Sequence, residues 1–152
     1  MNLITYNHHF GDQVIPEELL DPLINSLKDT EFEIKRKCAS KLRETIERQI
    51  QIQGWSGKVK VAKNNNITIT SMKDNVGLCI QTGNIGRFYA DMLKLQTLYL
   101  NGKIDSAIFI IPTNEAAKIM GGNLANYERV IRELELYKKI ITVPIHVIGL
   151  DV

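Results

Sequence analysis

Gln81-Thr82-Gly83-Asn84, running into a segment that carries Arg87 and Lys94, is the part of this chain best equipped for chemistry. A strand that enters a helix through Gly and Asn presents backbone amides at the helix N-terminus, and such amides can cradle a phosphate. The other reading of the same residues is an ordinary strand-to-helix turn. Arg87 falls in the first helical turn, where a cation opposes the helix dipole. It is either tolerated at the surface or placed to meet a phosphate. Lys94 lies two turns further on, near the same face. Upstream, Val76, Leu78 and Ile80 alternate with Gly77, Cys79 and Gln81, so Cys79 and Gln81 share one face of a strand. A nucleophilic cysteine needs a base and a partner. No His lies nearby in the chain, so Cys79 is expected to be an inert thiol.

Charge adds to this picture. Residues 1–32 carry one Lys against six acids, whereas residues 33–63 carry nine Lys and Arg against three acids. In a chain of net charge +2, such a segment is either a phosphate-contacting face or the solvated side of an ion-paired helix. The candidate phosphate contacts are Lys35, Arg36, Lys41, Arg43, Lys58, Lys60, Arg87 and Lys94. Glu44 and Glu47 lie in the same basic segment and are the acids available to supply a carboxylate. His8-His9 is a possible ligand pair, but adjacent residues point apart, and polar residues at a strand-to-loop boundary explain them better. There is no CxxC and no spaced Cys/His set, so no zinc site is expected.

Length and composition set the frame. At 152 residues, 44% hydrophobic and 24% charged, the chain is expected to form a single globular domain over residues 1–152. No apolar run approaches the length of a membrane span, and Met1-Asn2-Leu3-Ile4 does not resemble the start of a signal peptide. Cys38 and Cys79 are too few for a disulfide scaffold and suit a reducing cytoplasm.

The elements that must position these groups follow from periodicity. Pro16-Glu17-Glu18 opens a helix that reaches about Lys28. Thr30-Glu31-Phe32-Glu33 has the form of a capping box for a longer helix over 33–53, ended by Gly54. Ile34, Cys38, Leu42, Ile46 and Ile50 recur every four residues there, a narrow apolar stripe that makes Cys38 a core residue and also suits a partner subunit. Lys58–Val61 and Ile67–Thr70 alternate around Asn64-Asn65-Asn66, which predicts an antiparallel hairpin. Val76–Thr82 is the next strand, and Ile85–Leu100 a helix with Phe88, Met92, Leu95 and Tyr99 on one face. The apolar run Ser106–Ile111 predicts a strand covered on both faces. Helices over 114–120 and 126–139 and a buried strand over 143–150 complete the chain. A helix between two apolar strands implies a right-handed parallel crossover. With the hairpin, this gives an α/β fold on a sheet of mixed direction.

Several short stretches, in order, resemble the BglII and BstYI type of type II restriction endonuclease. They are Tyr6-Asn7-His8-His9, Gly54-Trp55, Lys73-Asp74, Val76, Ile80-Gln81, Gly83, Lys103-Ile104-Asp105, Pro112, Tyr127 and Val143-Pro144-Ile145 with Gly149. The resemblance spans nearly the whole chain. It implies the PD-(D/E)XK nuclease fold, a three-layer sandwich with a mixed central sheet and helices on both faces.

The same resemblance implies a catalytic pattern of Asp, eight residues, Glu, one residue and Gln. Counted back from Gln81, the Glu position is Cys79 and the Asp position is Thr70. Asp74 corresponds to a second, non-catalytic Asp in BstYI-like sequences. Mg²⁺ prefers carboxylate oxygens and water, so Thr70 and Cys79 imply a lost metal site and no cofactor. The expected function is binding of double-stranded DNA without cleavage, by a homodimer. Neither a membrane nor a small-molecule substrate is expected as partner. Two alternatives stay open: a working Mg²⁺-dependent endonuclease with a migrated carboxylate, and a protein-interaction module on a nuclease scaffold. The chain is also shorter than BglII-like relatives between Trp55 and Thr70, which implies less material for reading base edges.

Overall fold

Apolar runs make the sheet and amphipathic stripes cover it. A computed structural model describes residues 1–152. The elements, in chain order, are strand β1 (Asn2–His8), helices α1 (Gly11–Val14), α2 (Glu17–Asp29) and α3 (Ala39–Ile52), and strands β2 (Val59–Lys60), β3 (Thr68–Ile69), β4 (Ser71–Lys73) and β5 (Val76–Ile80). After them come helix α4 (Arg87–Leu100), strand β6 (Ser106–Pro112), helices α5 (Asn114–Met120) and α6 (Tyr127–Leu136), and strand β7 (Ile145–Asp151).

The main sheet has the order β1-β7-β6-β5-β4. Strands β5, β6 and β7 are parallel, and the edge strands β1 and β4 are antiparallel to their neighbours. Strand β6 is buried at every residue, as its unbroken apolar run predicts. On one face, Val76, Leu78, Ile80, Ile108 and Ile110 pack with Leu23 and Leu27 of α2 and Leu42, Ile46 and Ile50 of α3. On the other, Cys79, Phe109, Ile111 and Val147 pack with Phe88, Met92 and Leu95 of α4 and Val130 and Leu134 of α6. The three-layer α/β sandwich and the alternation along β5 are therefore as the sequence implied.

Three local expectations change. The Thr30 capping box does not start a helix. Its hydroxyl donates to the Ser26 carbonyl at 2.7 Å and so closes α2 instead. Lys37 takes φ 62, its N–H donates to the Met120 carbonyl at 2.8 Å, and α3 begins only at Ala39. The apolar stripe of α3 is spent inside the molecule, with Leu42 and Ile46 fully buried, so it leaves no face for a second subunit. Finally, β4 is an additional strand. Asp74 and Asn75, at φ 46 and 63, make the tight turn that returns it as β5.

Two contacts fix the frame around the site. Lys73 Nζ donates to the Gln53 carbonyl at 2.5 Å, so the β4–β5 hairpin closes the C-terminus of α3. Gly11 lets α1 lie directly on β7, because a Cβ there would stand 2.3 Å from the Ile145 carbonyl carbon.

Candidate nucleic-acid interface

Strand β5 ends against α3 and α4, and the gap between them is a cleft of about 320 Å³. Its lining includes Arg43, Lys58, Thr70, Ile80, Gln81, Arg87, Asp91 and Lys94. Two of the three motif positions, Thr70 and Gln81, thus open onto it. Four of the eight predicted phosphate contacts meet here: Arg43, Lys58, Arg87 and Lys94. Lys35, Arg36, Lys41 and Lys60 are exposed but do not line it. Lys35 pairs with Glu33 at 3.2 Å in the loop before α3. Lys41 lies two residues from Arg43, roughly 200° around the helix. Lys60 borders a separate depression with Lys63 and Lys103.

Arg43 reaches out of α3 to the end of β5. Its Nη1 donates to the Ile80 carbonyl at 2.9 Å, its Nη2 to Thr70 Oγ1 at 3.3 Å and its Nε to Glu47 at 2.8 Å. Thr70 Oγ1 also accepts the Ile80 N–H at 3.0 Å. Glu47 is thus the partner of Arg43, and neither Glu47 nor Glu44 lines the cleft.

The carboxylate in the lining is Asp91, which the sequence reading passed over. Gln81 Nε2 donates to its Oδ2 at 2.5 Å and Lys94 Nζ to its Oδ1 at 2.9 Å. Gln81 Oε1 accepts the Gly83 N–H at 2.9 Å. The spacing Arg87–Asp91–Lys94, i to i+4 and i+3 on one helix face, was a legible signal for this cluster.

The amides of the strand-to-helix turn itself are largely taken, whereas those of Phe88 and Tyr89 in the first turn of α4 have no acceptor in the chain. Gly83 N–H goes to Gln81 and Gly86 N–H to Asn84 Oδ1. Ile85 and Arg87 N–H go to the carbonyls of Asn123 and Asn84, and α4 starts at Arg87 rather than Ile85.

A divalent cation fits these donors poorly. Thr70 supplies a neutral hydroxyl already shared between two donors, and both Asp91 oxygens are engaged. No group of three or more His, Cys, Asp or Glu converges anywhere in the chain. Cys79 faces the α4 side, is 2% exposed, and its thiol pKa is pushed far up by burial, with the nearby Asp91 charge adding to the effect. Cys79 and Cys38 are both buried free thiols. A hard cation would require carboxylate or water oxygens that these positions do not provide.

The Tyr6-Asn7-His8-His9 stretch is structural. Tyr6 OH bonds Glu135 of α6, and burial with that bond pushes its pKa up to about 12. His8 Nε2 donates to the Ile141 carbonyl at 2.6 Å and His9 Nε2 to that of Lys138 at 2.8 Å. Asn7 Oδ1 accepts from the Asp12 N–H and from His146 Nδ1. Trp55 is buried in the core beneath α2 and α3.

No helix of the chain is long and apolar enough to cross a membrane. No curated protein matches the sequence. Among solved structures, restriction endonuclease BglII in complex with a DNA 16-mer superposes with a TM-score of 0.87 at 14% identity, covering 100% of this chain and 77% of that one. Free BglII superposes with a TM-score of 0.78 at 15% identity, covering 99% and 79%. These likenesses are of fold. The sequence model of the restriction endonuclease BglII/BglIII family matches residues 3–150, nearly the whole chain, and the protein belongs to that family.

Proposed function

We propose that this chain binds double-stranded DNA through the β5 cleft and does not cleave it. The observation that carries the reading is the composition of the cleft: four cations converge where Asp91 is the lining's only carboxylate, and that carboxylate is tied down by Gln81 and Lys94. Phosphate oxygens suit such a lining. A relative of the same fold is described in complex with a DNA 16-mer. Cleavage by metal-assisted hydrolysis needs a held divalent ion to activate water and stabilise the leaving oxygen, and Thr70 and Cys79 offer no carboxylate for it. Mg²⁺ is accordingly not assigned as a cofactor. The cations contact phosphates, which carry little sequence information, so binding is weakly selective.

A gel shift and a plasmid-nicking assay on one purified sample test this. Supercoiled plasmid stays intact with Mg²⁺ or Mn²⁺, while labelled duplex shifts. Four phosphate contacts per subunit predict that log affinity falls with log salt at a slope of about −3 to −4 for each subunit engaged, and about twice that for a dimer with both clefts on the duplex. Metal-dependent nicking that survives repurification and disappears in Asp91→Asn, Glu44→Gln or Glu47→Gln would establish the working endonuclease instead. Binding more than about a thousandfold tighter to one sequence would refute the weak selectivity.

The reading of the chain as a protein-interaction module draws on a different feature, an apolar groove between α4 and the segment after α6. Phe88, Tyr89, Met92, Leu93, Leu134, Tyr137, Ile140 and Ile141 line it with almost no polar surface. We place the homodimer contact here rather than on α3. Two buried reduced thiols suit a cytoplasmic protein.

A further inference from the structure

The Ile80 carbonyl, Thr70 Oγ1 and both Asp91 oxygens, all at the β5 cleft, each accept a hydrogen bond from a group of the chain itself. The Ile80 carbonyl and Thr70 Oγ1 both point at the Arg43 guanidinium, at 2.9 and 3.3 Å. The Asp91 oxygens are held by Gln81 and by Lys94. Arg43 is also steered from behind, because its Nε is fixed on Glu47 at 2.8 Å. Its side chain is only 35% exposed, so this is a partly buried group held by three acceptors and not a free surface arginine. A guanidinium anchored in this way still presents a positive face to the cleft, and it is always charged.

We propose that Arg43 supplies the cation of this site. Its guanidinium, aimed by Ile80, Thr70 and Glu47, makes the cleft a phosphodiester site that works without a divalent metal. The inference rests on the reading that the ligand is duplex DNA. It goes further in naming one residue as the central charge and in making the binding indifferent to Mg²⁺. Arg43 is the counterpart, in charge and in the oxygens it engages, of what a bound cation would be. Because Glu47 neutralises part of that charge, the two residues act on DNA affinity in opposite directions.

The test is a fluorescence-anisotropy titration of labelled duplex at constant ionic strength, in EDTA and in Mg²⁺. Affinity should agree within about twofold between the two buffers. Arg43→Met should weaken binding roughly tenfold or more, the scale of a lost charge-assisted hydrogen bond. Arg43→Met also removes the bonds to β5, so its melting curve is recorded alongside. Glu47→Gln should tighten binding by about threefold, within the worth of a partly exposed ion pair. A gain of that kind cannot come from misfolding. Glu44→Gln, on the same helix and outside any ion pair, should change less than Glu47→Gln. Binding that is lost in EDTA and restored by Mg²⁺ overturns the proposal while leaving the DNA reading intact. So does unchanged affinity in both Arg43→Met and Glu47→Gln. Failure to bind duplex at low salt in either buffer overturns the DNA reading, and the proposal with it.

Discussion

Asp91 is the residue whose neighbours decide most about the cleft. Its carboxylate pairs with the Lys94 ammonium at 2.9 Å and cancels part of the positive field that Arg87 and Lys94 present to the cleft. Asp91→Asn should therefore tighten duplex binding severalfold. Lys94→Ala should weaken it more than Arg87→Ala, because it removes a cation and leaves a buried carboxylate facing the phosphate. Anisotropy titrations of the three variants rank them, and Lys94→Ala binding as well as wild type would refute the assignment. His8 and His146 carry a second residue-scale consequence. Burial lowers both pKa values below the ordinary 6.5, with Asp12 partly opposing this at His146. The native state keeps them neutral, whereas the unfolded chain takes up protons near pH 6.5. Stability is thus fully present above that pH and falls as pH drops toward the lowered native values. Denaturant midpoints between pH 7.5 and 5.5 should decline, and His8→Gln should flatten part of the slope.

Elements here are placed by a few backbone contacts. Helix α1 is four residues long and would not persist alone. It is held because Gly11 allows its backbone to touch β7. Gly11→Ala pushes a Cβ to 2.3 Å from the Ile145 carbonyl carbon and 2.5 Å from its oxygen, neither of which can swing away. The expected loss is about 1–3 kcal/mol, the usual cost of overpacking a close contact. Gly57→Ala, with nothing within 4 Å of its added Cβ, is the matched control and should be near neutral. Paired thermal melts distinguish them. A Gly11→Ala protein as stable as the control would mean that α1 packs less closely than described.

The whole molecule presents its two surfaces at different places. The basic cleft lies at the end of β5, and the apolar groove lies along α4 and the segment after α6. Within that groove Leu93 is 61% and Ile140 65% exposed, an arrangement suited to burial against a second copy. Light scattering should give twice the chain mass at micromolar concentration. Leu93→Lys with Ile140→Lys should give one chain mass without loss of helical circular dichroism, since both side chains point outward in the monomer. A wild-type protein of single-chain mass would rule the dimer out. Loss of the dimer should halve the number of phosphate contacts per complex and so lower the salt slope of DNA binding.

Periodicity alone carried the sheet and its covers. The apolar run of β6, the alternation of β5 and the stripes of α3 and α4 each need only a few residues of local pattern, and burial follows it. The resemblance of scattered short stretches pointed to the family that residues 3–150 match. Boundaries set by competition were not legible. Thr30 chose the carbonyl behind it over the amides ahead, and the Asp74-Asn75 turn made an extra strand from residues with weak alternation. The basic cluster was legible as a list but not as a place. Which four of eight cations meet depends on how α3, α4 and the segment leading into β2 come together at the end of β5, a long-range packing outcome. The pairing of Arg43 with Ile80 and Thr70, 37 and 27 residues away, and the capture of Asp91 by Gln81 exist only once the sheet has closed. Local sequence sets the character of each side chain, but tertiary packing decides which charges share a low-dielectric cleft and which are left to water.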